Sequence, residues 1–150
     1  MPKFDLKKIT AIKGNQAFYQ LTIDDNPDLS TAKTDAEIND LKTGVLDIYE
    51  NSLEIKYKKN MIQIYNAMDR VAKNEHVPGE KYHELDRPKN DPYKDFEFKH
   101  GDLRIYAFKS EAGKIIALGG YKNNQDGDIQ KMRSIKLQYF DTLKKGNEKK

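Results

Sequence analysis

Residues 94–122 read KDFEFKHGDLRIYAFKSEAGKIIALGGYK, and this stretch decides the fold class. Apolar and polar residues alternate in three runs, which are separated by glycine-containing segments at residues 100–102 and 111–113. Alternation with a period of two is typical of β-strands, and short connections that contain glycine are typical of hairpins. The stretch therefore predicts three consecutive antiparallel strands, a β-meander.

Residues 35–73 precede the meander and carry apolar side chains at every third or fourth position. This spacing predicts helices with one buried face. Thr34 stands three positions before Glu37, which is the spacing of a capping box at the start of a helix. Asn51 and Ser52 favour a break, because their side chains compete for backbone hydrogen bonds. We therefore predict a helical hairpin.

The two ends of the chain complete the predicted fold. Residues 18–23 alternate and are rich in β-forming side chains, so they predict one strand within an N-terminal extension of residues 1–34. Apolar spacing across residues 129–143 predicts a last amphipathic helix, with residues 146–150 as a flexible tail. We expect a single α+β domain over residues 1–150: a helical hairpin packed on a small antiparallel β-meander, with a C-terminal helix.

The composition excludes several classes of protein. Of the 150 residues, 37% are hydrophobic and 34% are charged, and no run approaches the roughly 20 apolar residues of a membrane span. A signal-peptide block is also absent, so we expect a cytoplasmic protein with no membrane contact. The chain has no cysteine and 3 irregularly spaced histidines, so we expect no metal site and no cofactor. Nucleotide binding by a glycine-rich loop is excluded, because neither phosphate-loop motif occurs.

The charge is unevenly distributed along the chain. Residues 1–93 hold 14 basic and 16 acidic side chains, whereas residues 94–150 hold 13 basic and 8 acidic ones. The net charge of +3 therefore combines −2 in the first part with +5 in the second. Lysines interleaved with aromatic residues could bind phosphates and stack on bases, although a solvated lysine surface would give the same pattern.

Two features of the meander need an explanation. Leu103 and its alternating neighbours are expected to face the helices, which places Arg104 and Tyr106 together on the opposite face. An arginine in mid-strand indicates either phosphate binding or a cross-strand ion pair with an acid such as Glu97. The paired glycines Gly119 and Gly120 near the end of the third strand predict a bulge or a close backbone approach.

The sequence resembles the RelE/HigB superfamily of bacterial and phage toxins, of the phage-derived host-inhibition type. The resemblance spans residues 81–136 and rests mainly on the runs YKDFEFK (93–99), LRIYAF (103–108) and KIIALGGYK (114–122). Residues 82–85 are similar to the family's strand that leads into the meander, and the segment at 123–136 is similar to its polar-to-helical continuation. In that family a helical hairpin packs on a small antiparallel sheet, and a last helix often follows.

The resemblance implies a function and a set of residues. It implies the toxin component of a toxin–antitoxin system, a hydrolase that inhibits translation by cleaving mRNA at the ribosome without a metal, and an antitoxin protein as inhibitor and possible oligomeric partner. The chemistry needs a base for the ribose 2′-OH, cations around the phosphate and an acid for the leaving oxygen. By position, the catalytic candidates are Arg104, Lys122, Tyr106 and Tyr121, and the RNA-binding candidates are Lys94, Lys99, Lys109, His83 and His100.

Two alternatives belong to other functional classes. The chain could be a non-catalytic member of the same fold that binds RNA or a protein. Asp95 and Glu97 favour this alternative, because they repel phosphate if they share the face of Arg104. It could also be a mobile-element accessory protein whose helical hairpin mediates assembly.

Overall fold

The computed structural model describes residues 5–22 and 33–148 of the chain. Its strands are β1 (Leu6–Lys8), β2 (Phe18–Leu21), β3 (Tyr82–Glu84), β4 (Asp95–His100), β5 (Leu103–Lys109) and β6 (Lys114–Tyr121). They form one six-stranded sheet in the order β1-β2-β6-β5-β4-β3. All neighbours are antiparallel except β2 and β6, which run parallel. The predicted β-meander is confirmed as β4, β5 and β6.

The helices are α1 (Asp35–Leu41), α2 (Val45–Ser52), α3 (Lys58–Ala72) and α4 (Gln125–Glu148), with short 3₁₀ turns at Ile55–Tyr57 and Lys122–Asn124. The predicted α+β class and C-terminal helix are confirmed, although α4 runs past Gly146, where the sequence predicted its end. The predicted cap is also present, because Thr34 accepts a hydrogen bond from the Glu37 backbone N–H at 3.1 Å. None of the described helices is long and apolar enough to cross a membrane.

The break predicted at Asn51 and Ser52 is confirmed, since α2 ends at Ser52, but the first helix predicted before it is divided into α1 and α2. The cause is a tertiary contact. The Gln20 side chain accepts hydrogen bonds from the backbone N–H groups of Leu46 at 2.9 Å and Asp47 at 3.0 Å. These N–H groups lie in the first turn of α2, where a helix has no internal acceptors for them. A side chain on β2 therefore fixes the start of α2.

The N-terminal segment is part of the sheet. The strand predicted at residues 18–23 is observed as β2, while residue 23 and the polar segment after it lie outside the described residues. Strand β1 was not predicted, because a three-residue edge strand carries too little pattern. Phe18 is fully buried beneath the helices, and its ring contacts Phe98 with 6.0 Å between centroids.

Helices cover both faces of the sheet. The hairpin face, which carries Phe98, Ile105 and Ile116, packs against α2 and α3. The C-helix face, which carries Tyr106 and Phe108, packs against Met132, Tyr139 and their neighbours on α4. The predicted division of β5 into two faces is confirmed, but the face of Arg104 is covered by α4 rather than open.

The paired glycines allow this double covering. A Cβ atom on Gly119 would stand 2.4 Å from Cγ of Tyr49 on α2, and one on Gly120 would stand 2.0 Å from Oδ2 of Asp128 on α4. Both distances are far below van der Waals contact, so a side chain at Gly119 would displace the Tyr49 ring and one at Gly120 would displace the Asp128 carboxylate. The predicted close backbone approach is confirmed, and the register between β5 and β6 also shifts at Tyr106.

Candidate functional site

Strand β4 places two carboxylates, Asp95 and Glu97, on the C-helix face beneath α4. They are two residues apart, so their side chains point in the same direction. Both are fully buried, with 0% of their surface exposed. A buried charge is stable only when opposite charges and hydrogen bonds replace its lost hydration. The groups around each carboxylate therefore show how completely its charge is compensated.

Asp95 is fully paired. Its Oδ2 accepts from Lys136 Nζ at 2.8 Å and from Arg133 Nε at 3.1 Å, and both cations lie on α4. Lys136, itself 0% exposed, also donates to Asp91 Oδ2 at 2.6 Å and to the Tyr93 carbonyl at 2.8 Å. This ionic network fixes the middle of α4 to the beginning of β4.

Glu97 is only partly paired. Its Oε2 accepts a hydrogen bond from Gln125 Nε2 at 2.8 Å, at the start of α4. Its Oε1 has no hydrogen-bond partner, and the basic groups nearest to it are the His83 imidazole, with Nε2 at 3.6 Å, and Lys99 Nζ at 4.0 Å. One buried carboxylate oxygen is therefore left without a donor of its own.

The residues around Glu97 are set by the register of three strands. His83 on β3 and Tyr106 on β5 stand directly opposite Glu97, and Lys99 stands opposite Arg104 one step further along. Side chains opposite each other in a sheet lie on the same face. The register therefore gathers a carboxylate, an imidazole, a phenol and two cations in one patch, which we call the Glu97 cluster: His83, Glu97, Lys99, Arg104 and Tyr106.

Unsatisfied polar atoms concentrate in this cluster. Within residues 5–22 and 33–144, whose side chains the structure describes, the buried side-chain nitrogen and oxygen atoms without a hydrogen-bond partner are Glu97 Oε1, Arg104 Nε and the Tyr106 hydroxyl. All of them belong to the Glu97 cluster. Most buried polar atoms in folded proteins have partners, so such a concentration is a feature of binding and catalytic sites.

His83 is oriented for proton transfer with Glu97. Its Nδ1 lies 3.2 Å from the Gly79 carbonyl, which can only accept, so Nδ1 carries a proton. The exchangeable position is then Nε2, which points to Glu97. The His83 side chain is 36% exposed, so it connects the buried carboxylate to solvent at the edge of the sheet.

Tyr106 cannot act as a base here, although the sequence allowed it a proton-transfer role. Burial raises its pKa well above the usual value of 10.0, and the negative charge of Glu97 raises it further. The positive charge of Arg104 opposes this rise in pKa only in part. The phenol stays protonated at neutral pH and serves as a hydrogen-bond donor.

Arg104 is held rigidly by its own strand and turn. It is 6% exposed, and its Nη1 donates to the carbonyls of Gly101 at 2.7 Å and Leu103 at 2.8 Å. Gly101 adopts a positive φ of 57° in this turn. The expected ion pair with Glu97 is not formed, and the guanidinium instead keeps its unpaired Nε in the cluster.

Three of the remaining candidates lie apart from the cluster. Tyr121 packs on the hairpin face against Tyr57 and Tyr49, with ring centroids 5.7 Å and 6.0 Å away. Lys122 is exposed in the 3₁₀ turn after β6. His100 pairs in register with Leu103, which places it on the hairpin face.

Lys94 and Lys109 lie at the opposite end of the meander from the Gly101 turn. The Lys109 backbone N–H donates to the Lys94 carbonyl at 2.9 Å, and Lys109 stands opposite Lys114 across β5 and β6. These lysines line a cavity that the Glu97 cluster does not share. The candidate RNA-binding residues therefore do not form one site: His83 and Lys99 belong to the Glu97 cluster, Lys94 and Lys109 lie at the other end of the meander, and His100 lies apart from both.

The sequence analysis treated Glu97 as a possible ion-pair partner of Arg104 or as an obstacle to phosphate, and not as a catalytic residue. The alternation of Asp95, Glu97 and Lys99 already placed all three on one face, which is the signal that could have identified it.

No group of three or more histidine and carboxylate side chains in the described part of the chain is arranged to hold a metal ion. No family model, curated protein or solved structure matches the chain.

Proposed function

We propose that the protein is the RNA-cleaving toxin of a toxin–antitoxin system, with its reaction centre in the Glu97 cluster. The observation that supports this most strongly is the unpaired Oε1 of Glu97, with His83 Nε2 at 3.6 Å and Lys99 Nζ at 4.0 Å. A base, an acid and cations side by side are the groups that cleavage of RNA without a metal requires.

The reaction uses the ribose 2′-hydroxyl as nucleophile. Glu97 Oε1 takes the 2′-OH proton while a bond forms between O2′ and phosphorus. The bond between phosphorus and O5′ breaks, and His83 Nε2–H gives its proton to that oxygen. The products are a 2′,3′-cyclic phosphate and a 5′-hydroxyl. Proton transfer from Glu97 to His83 then restores both groups.

The remaining members of the cluster stabilise the charge that develops on the phosphate. Lys99 supplies a cation, and the unpaired Nε–H of Arg104 supplies a fixed donor beside it. The Tyr106 hydroxyl is a neutral donor directly opposite Glu97 in the strand register. Donors that are already in place require no reorganisation during the reaction, which makes this kind of stabilisation effective.

RNA can reach Glu97 only when the first turn of α4 moves, because Glu97 is fully buried and Gln125 covers its Oε2. The strong anchors of α4 are Arg133 and Lys136, about two turns further along the helix. The first turn has no cation of its own in these contacts and is held by hydrogen bonds from two amides, Asn124 Nδ2 to Asp128 Oδ1 at 3.1 Å and Gln125 Nε2 to Glu97 Oε2 at 2.8 Å. We propose that the ribosome with its mRNA displaces this turn and that the antitoxin blocks the opening.

Expression of the chain in a bacterial host tests this function. The native chain is expected to arrest growth and protein synthesis, and His83→Gln is expected to relieve the arrest. His76→Gln is the matched control, because His76 is exposed and lies outside the cluster. Unimpaired growth at high levels of the native, folded chain would contradict the proposal.

A second candidate function is binding of RNA without cleavage. It is favoured by the complete burial of Glu97 and Tyr106, which α4 would then cover permanently. This alternative predicts salt-sensitive binding of RNA that stays intact. Analysis of the RNA after incubation separates the two functions, because only the proposed toxin leaves 2′,3′-cyclic phosphate ends.

A further inference from the structure

Three lysines form a row across one end of the meander. Lys109 and Lys114 are directly opposite each other on β5 and β6, and Lys94 is bonded to Lys109 through the backbone at 2.9 Å. Like charges directly opposite in a sheet are destabilising, so this arrangement is unfavourable on its own. We call these three residues the lysine row.

Lys114 is the unusual member of the row, because it is buried. Only 7% of its surface is exposed, and burial together with the charges of Lys109 and Lys94 lowers its pKa. Its Nζ donates to Gln16 Oε1 at 2.6 Å and lies 4.9 Å from the centre of the Phe96 ring. Both contacts are with neutral groups, which do not neutralise its charge.

The row lines an open cavity of about 490 Å³. Glu84 and Glu111 also line this cavity, but no ion pair within 4.0 Å joins a carboxylate of the described residues to a lysine of the row. Gln16 and Ser110 add neutral polar groups to the wall. Lys94 and Lys109 also border a second cavity of about 680 Å³, which Tyr93 and Phe140 line with aromatic rings.

We propose that the lysine row binds a phosphate group. Three ammonium groups around one cavity match an oxyanion that accepts several charge-assisted hydrogen bonds, and such a ligand would remove their mutual repulsion. The adjoining aromatic cavity suits a nucleobase attached to that phosphate. The phosphate could belong to a free nucleotide or to an RNA strand. The inference does not depend on cleavage at the Glu97 cluster.

The test is a titration of the full chain with inorganic phosphate, adenosine monophosphate and a short single-stranded RNA, followed through the lysine side-chain NMR signals. Saturable shifts of the Lys94, Lys109 and Lys114 signals are expected. Lys114→Gln should weaken binding about tenfold or more, which corresponds to one charge-assisted hydrogen bond. Lys109→Gln should weaken binding in the same direction, and its exposed position keeps folding intact. Lys131→Gln, an exposed lysine on α4, is the control.

The three ligands distinguish the source of the phosphate. Equal binding of adenosine monophosphate and RNA indicates a nucleotide ligand, whereas much tighter binding of RNA indicates a strand that crosses the row. The proposal is overturned if about 10 mM phosphate and the other ligands leave these signals unchanged. It is also overturned if the lysine variants bind like the control, or if an acidic peptide binds the row and no phosphate ligand does.

Discussion

Asp95 and Glu97 lie on the same strand, on the same face and at the same depth, yet their surroundings differ. Asp95 is paired with Lys136 and Arg133, whereas Glu97 has one amide donor and an oxygen without any hydrogen bond. A buried carboxylate that is fully paired holds elements together, and one that is left partly unpaired is available for chemistry. The difference gives Asp95, the first residue of β4, a structural role and leaves Glu97, two residues later, as the proposed reactive group.

The largest expected effect on stability lies on the Asp95 side of this comparison. Lys136→Ala leaves Asp95 and Asp91 without their shared cation beneath α4. We expect the free energy of unfolding to fall by about 3–5 kcal/mol, measured by urea denaturation. Lys131→Ala, on the exposed side of the same helix, should change it by less than about 0.5 kcal/mol. Equal losses in both variants would contradict a structural role for the Asp95 network.

The next effect concerns access to Glu97. Cγ of Asp128 lies 3.0 Å from the position of a Cβ atom on Gly120, so Gly120→Cys with Asp128→Cys should form a disulfide between β6 and the first turn of α4. We expect RNA cleavage by the oxidised protein to fall about tenfold or more, because the turn can no longer move. A reductant should restore cleavage in the double variant, and Asp128→Cys alone serves as the control, because Gly120→Cys alone would collide with the Asp128 carboxylate. Full activity of the cross-linked protein would show that no opening is needed.

Acid should weaken the anchor of α4. Burial alone would raise the pKa of Asp91, but the hydrogen bonds from Lys136 and the Tyr93 backbone, together with the charges of Lys136 and Arg87, lower it below the usual 3.8. A carboxylate with a lowered pKa stabilises the fold above its unfolded pKa, and this contribution is lost as the pH falls through the folded value. The urea concentration at which half of the native protein is unfolded should therefore decrease as the pH is lowered below about 4. Asp91→Asn should be less stable than the native protein at neutral pH, and the two should converge in acid; a constant difference would contradict this assignment.

The smallest effect compares two buried hydroxyls. Tyr49 donates to the Gly120 carbonyl at 2.7 Å, whereas the Tyr106 hydroxyl has no partner. Tyr49→Phe should lower the free energy of unfolding by about 1 kcal/mol, while Tyr106→Phe should leave it unchanged or raise it. Thermal and urea denaturation measure both. A clear loss of stability in Tyr106→Phe would mean that its hydroxyl is satisfied.

Local patterns predicted much of this fold, and tertiary contacts account for what they missed. The alternation of residues 94–122 predicted the meander, and the Thr34 cap predicted the start of α1. The break before α2 has a local signal in Gly44, its N-cap, but the contact with Gln20 that fixes it is distant in sequence and could not be predicted. The same holds for the site: the face of Arg104 and Tyr106 was predictable, but its covering by α4 and the pairing of Glu97 with His83 depend on packing and register.

Cleavage of mRNA by the Glu97→Gln variant tests the central claim most directly. Glutamine keeps the size of the side chain and its contact with Gln125 but cannot accept the 2′-OH proton. In a translation reaction, the native protein should cut mRNA and leave 2′,3′-cyclic phosphate and 5′-hydroxyl ends. Glu97→Gln should cut about 10²–10⁴ times more slowly, and Glu80→Gln, at an exposed glutamate, should cut normally. Intact mRNA with the native protein, or normal cutting by Glu97→Gln, would contradict the account.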